Sequence, residues 1–313
     1  MKISEDIQQK LFCPSTKGKL QKNGDYLESV LDPTIRYPII DGIPILINNE
    51  KSLFSIDDFR KRTNTTIVLN QNKIKTTLRK FLPVISVNIK AEKNYSKIVT
   101  MLPNNSKILV IGGSVKGEGM DAIYSNESFE IVGSDVSFGP YTKLICDAHS
   151  IPFEDEVFDC VIIQAVLEHV LDPQRCVSEV HRVLKSSGIA YAETPFMQQV
   201  HMKQYDFTRF THLGHRRLFR YFEEVESGPC CGPGMALAWS YTYFLKSFAS
   251  SRMMSRLLTV FAHMTSFFFK YFDYYLIDKP GSYDAASGYF FMGKKNNNFL
   301  SDRDLIKQFK GIK

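Results

Sequence analysis

The chain has 313 residues, of which 44% are hydrophobic and 23% are charged, and its formal net charge is +6. This composition is typical of a globular protein that buries a substantial core, either as one large domain or as a few modules. The basic residues are dispersed, and no Lys/Arg-rich block forms the kind of arm that binds nucleic acid. We therefore expect no nucleic-acid partner.

The cysteines and the first residues of the chain predict a cytoplasmic protein. The six cysteines contain no C-x-x-C pair, which favours free thiols in a reducing compartment. The opening segment "MKISEDIQQKLFCP" lacks a basic stretch followed by an apolar run, so we expect no secretory signal. No stretch has the ~18 uninterrupted apolar residues that a membrane-spanning helix requires.

Residues 1–50 are predicted to form a small β-rich module. The segment "RYPIIDGIPILI" predicts two apolar strands around a turn at Asp41 and Gly42. Together with "CPSTKGKL", it resembles a zinc-ribbon-like domain in which cysteines hold the metal. Only Cys13 is present in this module, which excludes a four-cysteine zinc site. We expect a metal-free remnant that packs on the next domain or contacts substrate.

Four further segments follow this module. Residues 51–100 are polar and compatible with helix, and we interpret them as a helical connector. The others are a core domain, a helical aromatic-rich insertion or cap, and a final strand with a tail, at residues 101–228, 229–286 and 287–313. The insertion lies between the predicted strands "FEEVESG" and "SGYFFMGKK". Insertions at the edge of a sheet commonly cover or shape a site.

Strands and helices alternate from residue 106 onward. The predicted strands are "KILVI", "FEIVGSD", "VFDCVIIQ" and "IAYAE". Before the last of them, "DPQRCVSEVHRVLKSSG" predicts a helix that Asp172 caps, Pro173 begins and Gly188 ends. The alternation predicts an α/β fold with a mostly parallel sheet and helices on both faces. Ligands of such sheets bind at the carboxyl ends of the strands.

A glycine turn follows the first core strand, in "KILVIGGSVKGEG". Gly112 and Gly113 allow the backbone to adopt positive φ and to approach a ligand closely. The turn lacks the Gly-Lys-Ser/Thr ending of a triphosphate-binding loop. A nicotinamide-binding pattern is matched only at Gly117, Gly119 and Ala122, several residues beyond the strand end. A nicotinamide-dependent oxidoreductase stays an alternative.

The segment after this turn carries a family resemblance. Asp135 ends the second strand, and "CDAHSIPFEDEVFDCVIIQAVLEHV" leads on to "EVHRVLKSSGIAYAETP". In order, spacing and residue types, residues 106–195 resemble the core of class I S-adenosylmethionine-dependent methyltransferases. The resemblance implies a Rossmann-like, seven-stranded, mostly parallel sheet and S-adenosylmethionine as cofactor. The zinc-ribbon-like domain partners or precedes several methyltransferases.

The resemblance also implies which residues hold the cofactor. The glycine turn is expected to wrap the methionine part and the ribose. Asp135 is expected to accept the ribose hydroxyls, and Asp147 to lie by the adenine. Glu168 and His169 are expected nearby. The implied cofactor-binding residues are Gly112, Gly113, Ser114, Asp135, Val136, Asp147, Ala148 and Gln164.

One position departs from the family pattern. The family has an acid two residues before the first glycine of the turn, where this chain has Val110. Either the cofactor's amino group finds another partner, or cofactor binding is weakened or lost. A catalytically inactive methyltransferase fold that binds a partner is therefore an alternative function.

Residues 194–222 are where we expect the methyl acceptor to bind, because they follow the last of these strands. Methyl transfer is an in-line displacement that depends on how the nucleophile is positioned, and a general base helps where the acceptor is a hydroxyl. The candidates for acceptor binding or proton removal are His201, Tyr205, Asp206 and His212. His212 and His215 are three residues apart, but no third ligand is spaced convincingly, so no metal is predicted.

The acceptor is predicted only by class, as an O or N atom of a small-molecule, sugar or lipid-like compound. Residues 235–277 are rich in aromatic residues and methionine. They predict a helical cap that packs on the core. An apolar acceptor tunnel or a membrane-surface helix is the alternative, and the latter would give the protein a peripheral membrane contact.

Overall fold

The structure, a computed structural model, describes residues 1–63, 65 and 83–313. Part of the predicted helical connector, residues 64 and 66–82, lies outside the described residues.

Within the described residues, eleven strands form one continuous sheet. They are β1 Leu20–Asn23, β2 Tyr26–Ser29, β3 Arg36–Ile40, β4 Ile43–Leu46, β5 Lys107–Ile111, β6 Glu130–Asp135, β7 Thr142–Cys146, β8 Phe158–Gln164, β9 Leu184–Pro195, β10 Phe222–Cys231 and β11 Gly288–Lys295. Their spatial order is β1-β2-β3-β4-β7-β6-β5-β8-β9-β11-β10. Strands β5 to β9 pair in parallel, and β11 is antiparallel to both of its neighbours. The seven strands from β7 to β10 in this order confirm the predicted Rossmann-like sheet.

The helices of the described residues lie on both faces of this sheet and in the predicted insertion. They are α1 Glu5–Gln8, α2 Ile56–Arg60, α3 Ala91–Met101, α4 Asp121–Tyr124, α5 Pro173–Val183, α6 His212–Leu218, α7 Pro233–Lys246, α8 Arg252–Ser266, α9 Phe269–Leu276, α10 Ser282–Ala285 and α11 Asp302–Ile306. Two short 3-10 helices span Leu167–His169 and Lys203–Tyr205.

The central strands are apolar along almost their whole length because both faces of the sheet are covered. In β5, Leu109 belongs to a core layer that also contains the buried face of α5. The neighbouring Ile108 belongs to the opposite layer, which contains Tyr95 and Ile98 of α3. Successive residues of a strand point to opposite faces, so one apolar run fills two core layers.

The N-terminal module continues the central sheet instead of forming a separate body. Its strands β1 to β4 are antiparallel neighbours, and β4 pairs in parallel with β7 through Ile45 opposite Ile145. Asp41 and Gly42 have φ of 52° and 76°, as a tight hairpin turn requires, and the predicted strand pair is confirmed. Because β7 would otherwise be an edge strand with unpaired backbone groups, the module covers that edge.

Helix α5 begins as predicted but ends earlier. The Asp172 side chain accepts a hydrogen bond from the Arg175 backbone N–H at 3.0 Å, and Pro173 occupies the first helical position. The helix ends at Val183, whereas the sequence predicted an end at Gly188. Leu184 is fully buried and already pairs with β8, so the sheet takes up the residues that the sequence assigned to the last helical turn.

The insertion between β10 and β11 is helical, as predicted, and comprises α7 to α10. The buried Asp273 of α9 accepts hydrogen bonds from the backbone N–H groups of Gly234 and Met235, at 2.7 and 2.8 Å. A helix N-terminus attracts negative charge, so this carboxylate fixes α7 against α9. Several large apolar residues of the insertion remain exposed, among them Phe244, Phe248, Leu257, Phe261 and Tyr275. No helix among the described residues is both long and apolar enough to cross a membrane.

Candidate functional site

Two adjoining cavities open at the carboxyl ends of the central strands. The lining of the first cavity includes Phe54, Gly112, Asp135, Val136, Asp147, Ala148, His149 and His169. The lining of the second cavity includes Asn88, Val110, Gly112, Gly117, Glu118, Gln164, Glu193 and Met235. Ile111, Gly112 and Ala165 line both cavities. The two cavities therefore form one cleft along the edge where parallel sheets bind ligands.

The glycine turn after β5 shapes the middle of this cleft. Gly112 has a φ of 75°, and a Cβ there would lie 2.3 Å from Cγ2 of Val166, so only glycine fits. Gly113 and Ser114 line neither cavity. Instead, the Ser114 backbone N–H donates a hydrogen bond to Oδ2 of Asp135 at 3.0 Å. Gly113 and Ser114 thus lie outside the cavity lining, and the Ser114 backbone N–H orients the Asp135 carboxyl group.

Asp135 lies in the first cavity at the end of β6, where the sequence predicts a ribose-binding acid. Its carboxyl group is buried, and this burial raises its pKa although the Ser114 backbone N–H donates to it. A ligand that donates hydroxyl hydrogen bonds to this carboxyl group would stabilise its ionised form, because charge-assisted hydrogen bonds favour that form.

Asp147 also lines the first cavity, but its carboxylate is already engaged. Oδ2 accepts a hydrogen bond from the Ser52 hydroxyl at 2.5 Å, and Oδ1 accepts one from the His149 backbone N–H at 2.9 Å. Burial opposes its ionisation, yet hydrogen bonds from His149 and Ser52 lower its pKa overall. Asp147 thus organises the turn after β7. Ala148 and Val136 line the cavity on either side as apolar wall.

Glu193, which the sequence analysis did not single out, is the acid of the second cavity. It lies near the end of β9, and its buried carboxylate accepts hydrogen bonds from Asn88, Gln164 and Tyr191 at 2.8, 2.8 and 2.5 Å. Burial raises its pKa against these hydrogen bonds. Val110, which stands where the family has an acid, lines the same cavity, so Glu193 still gives this cavity an acid. The only sequence signal was an acid at the carboxyl end of a predicted strand.

Gln164 lines the second cavity and contacts Glu193. Its amide nitrogen donates to Glu193 and, at 3.2 Å, to the Glu118 carbonyl oxygen. Its Oε1 is buried and has no hydrogen-bond partner within the part of the chain that the structure describes. A Cβ at Gly117 would lie 1.7 Å from that oxygen, so the glycine there makes room for this side chain. Gln164 offers the second cavity an unsatisfied acceptor.

Three of the four predicted acceptor-side residues lie beside the first cavity, whose lining includes their neighbour Met202, and Asp206 lines a separate cavity with Arg209 and Tyr243. Asp206 is held by Arg209 Nη2 at 2.9 Å and by the His201 backbone N–H at 2.8 Å. Burial opposes ionisation of Asp206, but the hydrogen bonds from Arg209 lower its pKa well below its usual range. The Tyr205 carbonyl oxygen accepts a hydrogen bond from His169 Nδ1, and the Tyr205 ring lies 5.8 Å from the Phe54 ring. Asp206 therefore holds Arg209 and the His201 backbone in place, and its lowered pKa makes it a poor proton acceptor.

The fourth predicted residue, His212, is elsewhere. Its Nε2 lies 3.0 Å from the Ser227 hydroxyl, and its ring is 5.0 Å from that of Tyr283. It lines a separate cavity with Thr211 and Lys310. Burial lowers its pKa to about 4. The structure does not bring His212 to the cleft, because α6 packs this face against β10 instead.

The sequence predicts Glu168 and His169 near the cofactor, and the structure places both beside the first cavity. Glu168 is fully buried, and burial raises its pKa to about 8. Burial also lowers the pKa of His169 to about 4 and lowers that of His201. His169 lines the first cavity, and the rings of the two histidines lie 4.9 Å apart. The notable signal in the sequence was the pair Glu168–His169 directly after β8.

A family profile described as "Methyltransferase domain" matches residues 117–192. The matched range contains Asp135, Asp147, Gln164 and Glu168 but begins after Gly112 and Gly113. The family uses S-adenosylmethionine, which is the cofactor that the sequence implied.

Individual proteins match other parts of the chain or its fold. The UPF0434 protein YE1549 of Yersinia enterocolitica is 45% identical over 47 residues, which are 15% of this chain and 78% of that protein. A putative sarcosine dimethylglycine methyltransferase from Galdieria sulphuraria is 14% identical with a TM-score of 0.43, covering 66% of this chain and 85% of that one. Phosphoethanolamine N-methyltransferase 2 of Haemonchus contortus is 15% identical with a TM-score of 0.42, covering 65% of this chain and 52% of that one.

Proposed function

We propose that this chain, which belongs to the UPF0434 protein family through its 47-residue match and carries a methyltransferase domain, is an S-adenosylmethionine-dependent methyltransferase. One observation carries the proposal: a single cleft along the carboxyl ends of the parallel strands has Asp135 at one end and Glu193 at the other. Gly112 lies between them and lines both cavities. This arrangement suits a ligand with hydroxyl donors at one end and an ammonium group at the other.

The residues present fit S-adenosylmethionine. Asp135 would accept the ribose hydroxyls, and the apolar Val136 and Ala148 would flank the adenine. Glu193 would pair with the amino group in place of the acid that the family has where this chain has Val110. The inactive alternative rested on the missing acid of β5, and Glu193 weakens that argument.

When bound, the cofactor supplies an electrophilic methyl group on a positively charged sulfur. The chain's own contribution is to hold an O or N nucleophile in line with that methyl group and to keep water away. The methyl group would leave the cofactor's sulfur as a neutral thioether, and a basic side chain of the protein would take the proton that the acceptor loses. Among the predicted residues beside the first cavity, His201 has an imidazole whose pKa is lowered by burial, and it would take this proton when its Nε2 is free.

We propose a small-molecule, sugar or lipid-like compound as acceptor. The second cavity is lined on one side by Met235 and Cys231, where the insertion begins. Met235 belongs to helix α7 of the aromatic-rich insertion, which favours a partly apolar compound. The exposed apolar residues of these helices support a peripheral membrane contact as part of the same proposal.

For the N-terminal module we propose a metal-free, zinc-ribbon-like extension of the catalytic sheet. Cys13 is buried, and its Sγ lies 3.3 Å from the Tyr37 hydroxyl. Ser52, just after the module, hydrogen-bonds Asp147 in the first cavity. The module's pairing with β7 would therefore stabilise the first cavity, where the cofactor's adenine and ribose are proposed to bind.

The proposal is tested by calorimetric titration of the purified chain with S-adenosylmethionine and S-adenosylhomocysteine. NADH serves as control, because the displaced glycine pattern suggested a nicotinamide site. We expect micromolar binding of both adenosyl ligands and no binding of NADH. Binding of NADH alone would favour the oxidoreductase, and binding of neither would leave the inactive fold.

A further inference from the structure

Three side chains with metal-ligating atoms converge beside the first cavity. Glu168 and His169 follow β8, and His201 comes from the segment after β9. Nε2 of His169 lies 3.5 Å from Oε1 of Glu168, and Nε2 of His201 lies 3.9 Å from the same oxygen. One ligand atom from each residue lies within 4.8 Å of the other two. Two distant parts of the chain thus meet at one point.

The Glu168 carboxyl group is the unusual member of this cluster. It is fully buried, and neither of its oxygens has a hydrogen-bond partner among the residues that the structure describes. Burying a carboxyl group without a partner costs free energy, and native structures contain few such groups. Arg209, whose positive charge acts on Glu168, is already paired with Asp206. A ligand from outside the chain would provide the missing partner of this carboxyl group.

Both histidines are oriented so that the same ring nitrogen faces Glu168. Nδ1 of His169 donates to the Tyr205 carbonyl oxygen at 2.6 Å. Nδ1 of His201 lies 3.3 Å from the Gln199 carbonyl oxygen, 3.5 Å from Oδ2 of Asp206 and 3.4 Å from Nη2 of Arg209. Metal-binding histidines commonly donate their other N–H to a carbonyl or carboxylate, which fixes the ring. In the tautomer in which Nδ1 donates to these oxygens, each Nε2 has a free lone pair.

We propose that Glu168, His169 and His201 bind one divalent transition-metal ion. Ligand atoms about 2.1 Å from a common ion lie roughly 3–4 Å apart, and the two measured distances fall in that range. Two imidazoles and one carboxylate suit Zn²⁺, Fe²⁺, Co²⁺ or Mn²⁺ better than Mg²⁺ or Ca²⁺, which prefer oxygen ligands. The sequence analysis predicted no metal because the histidine spacing that it weighed, His212 and His215, belongs to another part of the fold.

Three protein ligands leave open positions on such an ion. His169 lines the first cavity, so the ion would border the cleft, and an oxygen or nitrogen donor of the methyl acceptor could occupy an open position. This role rests on the proposed function, whereas the metal site does not.

The experiment is metal titration of the full chain after removal of metals with a chelator. Co²⁺, Mn²⁺ and Zn²⁺ are each titrated calorimetrically, and the Co²⁺ complex is examined by visible absorption. We expect one ion per chain with micromolar or tighter affinity. Glu168→Gln, which keeps the shape but removes the charge, and His201→Gln should each weaken binding by at least ~10-fold. His181→Gln, whose ring contacts the Asn296 carbonyl oxygen on another face, should bind like the wild type.

The wild-type chain gives an independent readout if a variant does not fold. Substoichiometric Mn²⁺ should broaden the ring resonances of His169 and His201 before those of His181. No saturable binding by the wild type, or equal binding by Glu168→Gln and His201→Gln, overturns the proposal. S-adenosylmethionine titrations of the same metal-free protein separate the two claims. Cofactor binding without metal binding removes only the metal site, and metal binding without cofactor binding removes only the proposed function.

Discussion

The two cavities of the cleft hold their acids by different means. Asp135 of the first cavity is fixed by a local motif, since the backbone of the adjacent glycine turn donates to it. Glu193 of the second cavity is held by three side chains, Asn88, Gln164 and Tyr191, two of which come from other segments of the chain. The comparison teaches that the end of a parallel strand can offer an acid whether or not a sequence motif marks it.

Loss of Asp135 should have the largest effect on the cleft. Asp135→Ala removes the carboxylate that would accept the ribose hydroxyls, and hydrogen bonds to a charged group contribute about 1.5–3 kcal/mol each. We expect S-adenosylmethionine affinity to fall about 100-fold by calorimetry. Glu130→Ala, at the opposite end of the same strand, is the matched control and should keep wild-type affinity. Unchanged affinity in Asp135→Ala would remove the ribose role.

Loss of the Glu193 charge should come next. Glu193→Gln keeps the size of the side chain and leaves an amide where the cofactor's ammonium group is expected. We expect a roughly 10-fold to 30-fold loss of S-adenosylmethionine affinity, because one charge-assisted contact is lost. The thermal midpoint of the variant, followed by circular dichroism, checks that the hydrogen-bond network still folds. An affinity equal to that of the wild type would leave the second cavity without a cofactor role.

Acidification should weaken cofactor binding through Asp135. Burial raises its pKa above 3.8, so the ionised form that binds hydroxyl donors is lost at a higher pH than in an unburied aspartate. We expect the affinity to decline as the pH falls toward this raised pKa, measured by calorimetry at several pH values. Asp147, whose pKa is lowered, should stay ionised at pH values where Asp135 becomes protonated.

The same raised pKa makes a stability prediction with a defined sign. An acid whose folded-state pKa lies above its unfolded value destabilises the fold at pH values above both, and this penalty recedes as pH falls. Asp135→Asn should therefore raise the thermal midpoint of the free protein at pH 7 by a few degrees while it lowers cofactor affinity. A lower midpoint at pH 7 together with intact affinity would contradict both halves of this account.

The smallest effect is expected on the exposed apolar face of the insertion. Helix α8 exposes Leu257 and Phe261 one turn apart, next to Arg256. If these residues contact membrane, replacing both apolar residues with serine should reduce co-sedimentation with anionic liposomes several-fold. Ile306→Ser with Phe309→Ser, exposed apolar residues near the end of the chain, is the control. Equal sedimentation of all three proteins would remove membrane contact from the proposal.

Features encoded by neighbouring residues could be predicted from the sequence. The strands followed from apolar runs, the turn at Asp41 and Gly42 from its residue types, and the position of Asp135 from the end of β6. Each depends on backbone preferences or on burial within a few residues. The number of seven core strands came from family resemblance, and no strand order was predicted, because no local pattern fixes it.

Features made by distant residues could not be predicted in this way. The pairing of β4 with β7 joins segments that are 100 residues apart, as Ile45 and Ile145 show. The meeting of Glu168 with His201 depends on where the segment after β9 folds back. The end of α5 was missed because burial of Leu184 in the sheet outweighed the helix-ending preference of a later glycine. Tertiary packing decided all three.

The most direct test of the account compares two ligands in two variants. 5′-Methylthioadenosine contains the ribose and adenine but lacks the amino acid end of S-adenosylmethionine. If one cofactor spans both cavities, Asp135→Ala should weaken binding of both ligands, whereas Glu193→Gln should weaken S-adenosylmethionine only. If Glu193→Gln weakens both ligands equally, or neither variant discriminates between them, the two cavities do not hold the two ends of one cofactor.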